Sequence, residues 1–127
     1  MPTLPWISVT SQQSAVPVVV MASRLQVTSL LQVPRFLLDA FRVRRQALRA
    51  PGALGVSLVA HPLRREFYTL SAWRDRDAIT EFVRSEPHKS VMSRHRTSMA
   101  DSKFVFYELA AEALPPTWDD AHTRLTS

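Results

Sequence analysis

One stretch constrains the fold more than any other: Phe67-Tyr-Thr-Leu-Ser-Ala-Trp73, followed by Arg74-Asp-Arg-Asp-Ala-Ile-Thr-Glu-Phe82-Val-Arg-Ser85-Glu-Pro-His88. The first half is rich in aromatic and β-branched residues and predicts a strand ending at Trp73. Asp75 is placed to cap a helix whose inward face is Ala78, Ile79, Phe82 and Val83. Ser85 and Pro87 predict a fresh cap and first-turn proline for another helix, running to about Ala100. An aromatic and an imidazole thereby approach one prospective cavity.

The rest of the chain arranges itself around that unit. Residues 1–16 are rich in Ser, Gln, Thr and Pro and predict an N-terminal arm. Val18–Val27 is β-branched and predicts a strand. Pro34 suits a first helical turn, after which Phe36, Leu37, Ala40, Phe41, Ala47 and Leu48 recur at helical spacing. Pro51 and Gly52 stop that helix, because proline disfavours helix at the residue before it and glycine admits a positive φ. Leu54–Ala60 and Phe67–Trp73 form a hairpin across Pro62–Arg65, and Ser102–Leu109 is the last strand. In the tail, 111–127, Thr117-Trp-Asp-Asp120 has capping-box spacing and opens a short helix.

The order β-α-β-β-α-β over residues 17–110 is the ferredoxin-like α+β arrangement. Its helices cover one sheet face. Val18-Val-Val-Met21 and Phe104-Val-Phe-Tyr107 are nevertheless apolar on both faces, and the predicted elements leave nothing to cover the second. A second copy of the sheet is the economical cover, so a homodimer is expected, with the N-terminal arm folding over that face as the alternative.

Composition removes several function classes. At 127 residues the chain holds one core. It contains no cysteine, which excludes disulfides, thiolate metal sites and a cysteine nucleophile. No apolar run approaches the ~20 residues needed to cross a bilayer, and no basic n-region opens the N-terminus. A cytoplasmic protein with no membrane partner is the expectation. The net charge of +5 comes mostly from arginine, and Arg42, Arg44, Arg45 and Arg49 crowd one helix. No helix-turn-helix or aromatic-glycine RNA motif accompanies them, so a solvated helix face is expected and no nucleic-acid partner.

Among the polar candidates, His88 sits in the first turn of its helix, where the macrodipole favours a neutral ring able to act as a general base. His88, Met92, His95 and Met99 form one helical stripe. The two histidines are two turns apart, about 10 Å, too far to chelate one ion, so the stripe reads as a helix face looking into a pocket or core. Trp73 is a packing anchor or pocket wall whose indole N–H needs a partner if buried. Tyr68 and Tyr107 could hold an oxyanion or belong to the core. Arg24, amid an apolar strand, pairs with a carboxylate or faces an acidic ligand. His61 and His122 are expected in solvent.

From Val18 to Leu109 the sequence resembles the dimeric α+β barrel superfamily, and within it the antibiotic biosynthesis monooxygenases. The carriers are the strand ending in Trp73, the Asp75-capped helix with Ala78 and Phe82, and Ser85-Glu-Pro-His88, similar to the family's serine-proline-histidine region. The resemblance implies a pocket between sheet and helices. Cofactor-independent oxygenases of the group hold an aromatic substrate with a Trp and an Asn. Trp73 matches the former, but the chain has no asparagine, so another polar group must stabilise a developing enolate.

The implied activity is cofactor-independent oxidation of an aromatic or polyketide-like substrate of secondary metabolism. His88 is the acid/base, and Trp73, Tyr68, Arg24, Met92 and His95 are the substrate-binding candidates. The heme-degrading branch is the alternative; its iron ligand aligns with Met92, leaving His88 or His95 as other axial ligands. A non-catalytic ligand-binding or accessory dimer, and an isomerase or cyclase using the same base, stand beside these.

Overall fold

A computed structural model describes residues 3–8, 17–97, 99–110 and 116–126. Five strands, β1 (Thr3–Ser8), β2 (Val18–Val27), β3 (Ala53–His61), β4 (Glu66–Trp73) and β5 (Met99–Leu109), form one sheet in the order β1-β3-β4-β2-β5. All neighbours are antiparallel. The helices are α1 (Val33–Arg49), α2 (Arg76–Arg84), α3 (His88–Arg94) and α4 (Trp118–Leu125). Omitting β1 and α4 leaves the ferredoxin-like α+β fold, with the β3–β4 hairpin and both helical crossovers where the sequence puts them.

Local chemistry explains the boundaries. The Asp75 carboxylate accepts from the Ala78 N–H at 2.9 Å, and the Thr117 hydroxyl accepts from the Asp120 N–H at 3.2 Å; these caps start α2 and α4. Gly52, at φ +84°, turns the chain from α1 into β3. A Cβ there would lie 2.6 Å from the Ala78 Cβ, so both backbone conformation and space demand glycine.

Three features depart from the sequence expectation. First, part of the expected arm is a strand: residues 3–8 pair with β3, while residues 9–16 lie outside the described residues. Second, the third helix ends at Arg94 instead of near Ala100, and Met99 already belongs to β5. Thr97 follows closely, a residue type poor at extending a helix. Ser85 closes α2 instead of capping α3, its hydroxyl donating to the Glu81 carbonyl at 2.7 Å. Third, the second sheet face has its own cover.

Side chains alternate along the strands, so each face has its own core. Toward α1, α2 and α3, Val19, Met21, Val56 and Trp73 pack with Ala47, Ala78, Ile79 and Phe82. On the opposite face Val20, Ala22, Leu70, Ala72 and Tyr107 pack with Ala121 and Leu125 of α4, and Trp6 of β1 packs against the same cluster. The Trp6 indole lies on Gly55, where a Cβ would come within 2.1 Å of a ring carbon. Cover for this face comes from within the chain, from the arm, which was the alternative to a second copy, and from the tail helix α4.

Candidate functional site

Between the sheet and helices α1 to α3 lies a cavity of about 310 Å³. Its floor is the inward face of β2 and β4: Met21, Ser23, Leu25, Phe67, Thr69, Ser71 and Trp73. The Ser23 and Thr69 hydroxyls hydrogen-bond each other across the two strands. Helices α1 to α3 form the other walls, and Met99, Ser102 and Phe104 of β5 flank one side. The polar lining is the hydroxyls of Ser23, Ser57, Thr69, Ser71 and Ser102 together with Arg44, Arg96, His88 and His95; no aspartate or glutamate lines it.

Trp73 is wholly buried, and its indole N–H donates to the Ser71 hydroxyl at 2.8 Å. The Phe82 ring stands between Trp73 and His88, with centroids 4.9 Å from each, making an aromatic wall that ends in an imidazole. His88 is positioned from α1. The Gln46 amide accepts from the His88 backbone N–H at 2.8 Å and donates to the Phe82 carbonyl at 3.0 Å, tying the start of α3 to the end of α2. Burial lowers the His88 pKa, opposed by a hydrogen bond to the Val83 carbonyl, so the ring is neutral at pH 7. Its Nδ1 is buried and has no hydrogen-bond partner.

His95 occupies another wall. Its Nε2 lies 2.7 Å from Oδ2 of Asp39 on α1, and the same oxygen accepts from Arg94 at 2.9 Å. Arg42 approaches the other carboxylate oxygen at 3.6 Å. Burial disfavours the Asp39 anion, but the His95 and Arg94 hydrogen bonds outweigh it and hold the carboxyl below its ordinary range. The His95 ring stands edge-on to Phe36 at 5.1 Å, and its Nδ1 is also buried without a partner.

Four of the six candidate residues therefore meet at one cavity: Trp73, His88, Met92 and His95. Met92 is at the rim, 45 % exposed. Arg24 and Tyr68 do not join them. They lie on the opposite sheet face, where Arg24 pairs with Glu66 at 3.3 Å and Asp101 at 3.0 Å, and the Tyr68 hydroxyl donates to Glu66 at 2.8 Å. Strand alternation decides this, since both are even-numbered residues on strands whose odd-numbered residues face the cavity. Tyr107 also faces away, beneath the Arg124 guanidinium. His122 is exposed, as expected, while His61 is half-buried, and their rings flank Tyr68 edge-on at 5.0 and 5.8 Å.

Three residues of the site escaped the sequence reading: Asp39, Gln46 and Arg44. Asp39 carried a usable signal, a single carboxylate one turn after Phe36 on the apolar side of α1. Arg44 was hidden in the run of arginines expected to be solvated; it is half-buried and lines the cavity. Among the described residues no group of three histidine, aspartate or glutamate side chains comes together to hold a metal ion.

Residues 35–94 match the antibiotic biosynthesis monooxygenase family. That span includes Asp39, Arg44, Gln46, Trp73 and His88 and stops one residue before His95. A Nitrosomonas europaea protein, provisionally named an antibiotic biosynthesis monooxygenase, superposes with a TM-score of 0.66 at 18% identity, over 79% of this chain and 93% of that one. A variant of SnoaB, a cofactor-independent oxygenase from Streptomyces nogalater, gives 0.62 at 18% identity over 78% and 98%. A conserved protein from Methanosarcina mazei gives 0.64 at 14% over 73% and 93%. At such identities the likeness is one of fold. No curated protein matches the chain.

Proposed function

We propose that this protein is a small-molecule enzyme of the monooxygenase type that oxidises an aromatic or polyketide-like compound without a resident cofactor. One observation carries the reading. The buried, unpartnered Nδ1 of a neutral His88 stands at the end of the Phe82–Trp73 aromatic wall, in an apolar cavity that can receive a flat substrate. His88 takes a proton from an electron-rich phenol or its activated methylene. The resulting carbanion passes electrons to dioxygen, the co-substrate. For a methylene becoming a ketone, two C–H bonds break, one oxygen atom stays on carbon, and the other leaves with the two hydrogens as water. Likeness in fold to a cofactor-independent oxygenase supports a scheme needing only base, substrate and dioxygen.

The test is turnover of a hydroxylated anthrone, followed by quinone absorbance and by oxygen uptake, which should match one to one. Replacing a positioned general base lowers rates by about 10²–10⁴-fold, the loss expected for His88→Gln. Trp73→Phe should chiefly weaken substrate binding. Unchanged turnover in both variants would remove these roles. Quinone-free conversion without oxygen uptake would point instead to an isomerase or cyclase using the same base.

A further inference from the structure

We propose that Arg44, whose buried Nε has no partner at the cavity, receives the oxyanion of a substrate hydroxyl. The inference rests on the cavity being the substrate site, as above, and adds the group that holds the charge.

Four buried side-chain nitrogen or oxygen atoms among the described residues lack a hydrogen-bond partner: Arg44 Nε, His88 Nδ1, His95 Nδ1 and Tyr107 Oη. Three of the four belong to residues lining this single cavity. Such atoms are normally satisfied, so their convergence marks where a polar ligand group is missing. Of the three, only Arg44 carries a permanent donor and a permanent charge. Among the described residues it makes no ion pair. The buried carboxylate on its own helix, Asp39, is already engaged by His95, Arg94 and Arg42. No acidic side chain lines the cavity to neutralise it. The other charged group on the lining is Arg96, which is exposed, and the imidazoles are His88 and the Asp39-bound His95.

The chemistry is complementary. A neutral His88 accepts a proton from a substrate hydroxyl: the O–H bond breaks, an N–H bond forms, and the electron pair stays on oxygen beside the Arg44 guanidinium. Charge-assisted hydrogen bonds in a water-poor site favour that anion over the neutral phenol. Arg44 thus selects, among flat apolar compounds, those with an ionisable hydroxyl.

The probe is alizarin, a dihydroxyanthraquinone dye whose phenol and phenolate differ in colour, with its dimethyl ether, in which both hydroxyls are blocked, as the non-ionisable control. The wild type should bind the dye with its apparent acidity constant raised at least tenfold over the free dye. Arg44→Met should abolish that shift while still binding the dimethyl ether, which shows that the cavity is intact; Arg44→Lys should retain part of it. An Arg44→Met protein that binds the phenolate with unchanged acidity overturns the proposal. So does a shift that follows Arg96→Met instead, or a wild type that binds the ether but not the dye, or neither. The two readings fail separately. Anthrone turnover lost in His88→Gln with no Arg44 effect on the dye leaves only the enzyme standing. An Arg44-dependent dye with turnover indifferent to His88 and Trp73 leaves only the oxyanion site.

Discussion

On one face of β4, Thr69, Ser71 and Trp73 line a cavity; on the other, Leu70 and Ala72 are closed beneath α4 and the Trp6 indole. The same eight-residue strand supplies both. The difference lies in what is laid over it. Three helices span the first face and leave a gap lined by Arg44, His88 and His95. One short helix and one aromatic ring sit directly on the second, where Gly55, with no side chain, and the small Ala22 and Ala72 allow close approach. Close packing is the default state of a protein interior, so the open face is the one that calls for a functional account.

Three substitutions probe this contrast. The largest effect is expected from Asp39→Ala on the open face, because a carboxylate that ties α1 to His95 and Arg94 is removed and its partners stay behind. Breaking a buried pair typically costs about 3–5 kcal/mol, to be read from the urea midpoint. The wild-type pair has its own pH signature. With the Asp39 carboxyl held below its ordinary range in the fold, its contribution is complete above the unfolded carboxylate value and disappears as pH falls through the lowered one. A loss under 1 kcal/mol would mean that this wall stands without its charges.

A smaller effect is expected from Gly55→Ala on the closed face. One methyl must displace the Trp6 ring, and such overpacking costs about 1–3 kcal/mol. Light scattering sharpens the point. If Trp6 lifts away, the uncovered apolar face should associate and double the mass measured for the wild type. A Gly55→Ala protein as stable as the wild type would show that the second face is not tightly closed.

The smallest effect is the pH dependence due to His88. Its folded pKa lies below the ordinary 6.5, so the unfolded chain binds the proton more readily. Its contribution to stability is full above pH 6.5 and declines as pH falls from 6.5 toward the lowered value. His88→Gln should flatten that part of the stability profile. An unchanged slope would show that the ring is solvated, and the contrast between the faces would lose its chemical edge.

Much of the architecture was legible in the sequence because its signals are local. Asp75, Thr117, Pro34 and Gly52 act through their own turns, and the run ending in Trp73 declares a strand without reference to anything distant. That Trp73 and His88 share one cavity was legible because one short stretch carries both. Arg24 and Tyr68 were misplaced for want of the pleat phase, which only the packed sheet fixes. Met99 lies on the cavity as the stripe from His88 suggested, yet it does so from β5 and not from a helix.

Sequence alone determined the order of elements from β2 to α4, the Asp75 and Thr117 caps, the absence of cysteine and asparagine, and the closeness of an aromatic and a histidine. Tertiary structure decided which face of the sheet stays open, since that depends on α4 and Trp6, at opposite ends of the chain, meeting on one surface. It also decided which charges are spent. Asp39 and His95 are 56 residues apart and find each other only when α1 and α3 pack, leaving Arg44 on the same helix unpaired at the cavity. Capping and strand propensity act within a turn or two of chain and can be read in order. Burial and ion pairing are settled by neighbours in space, and a linear reading cannot show which arginine has run out of partners.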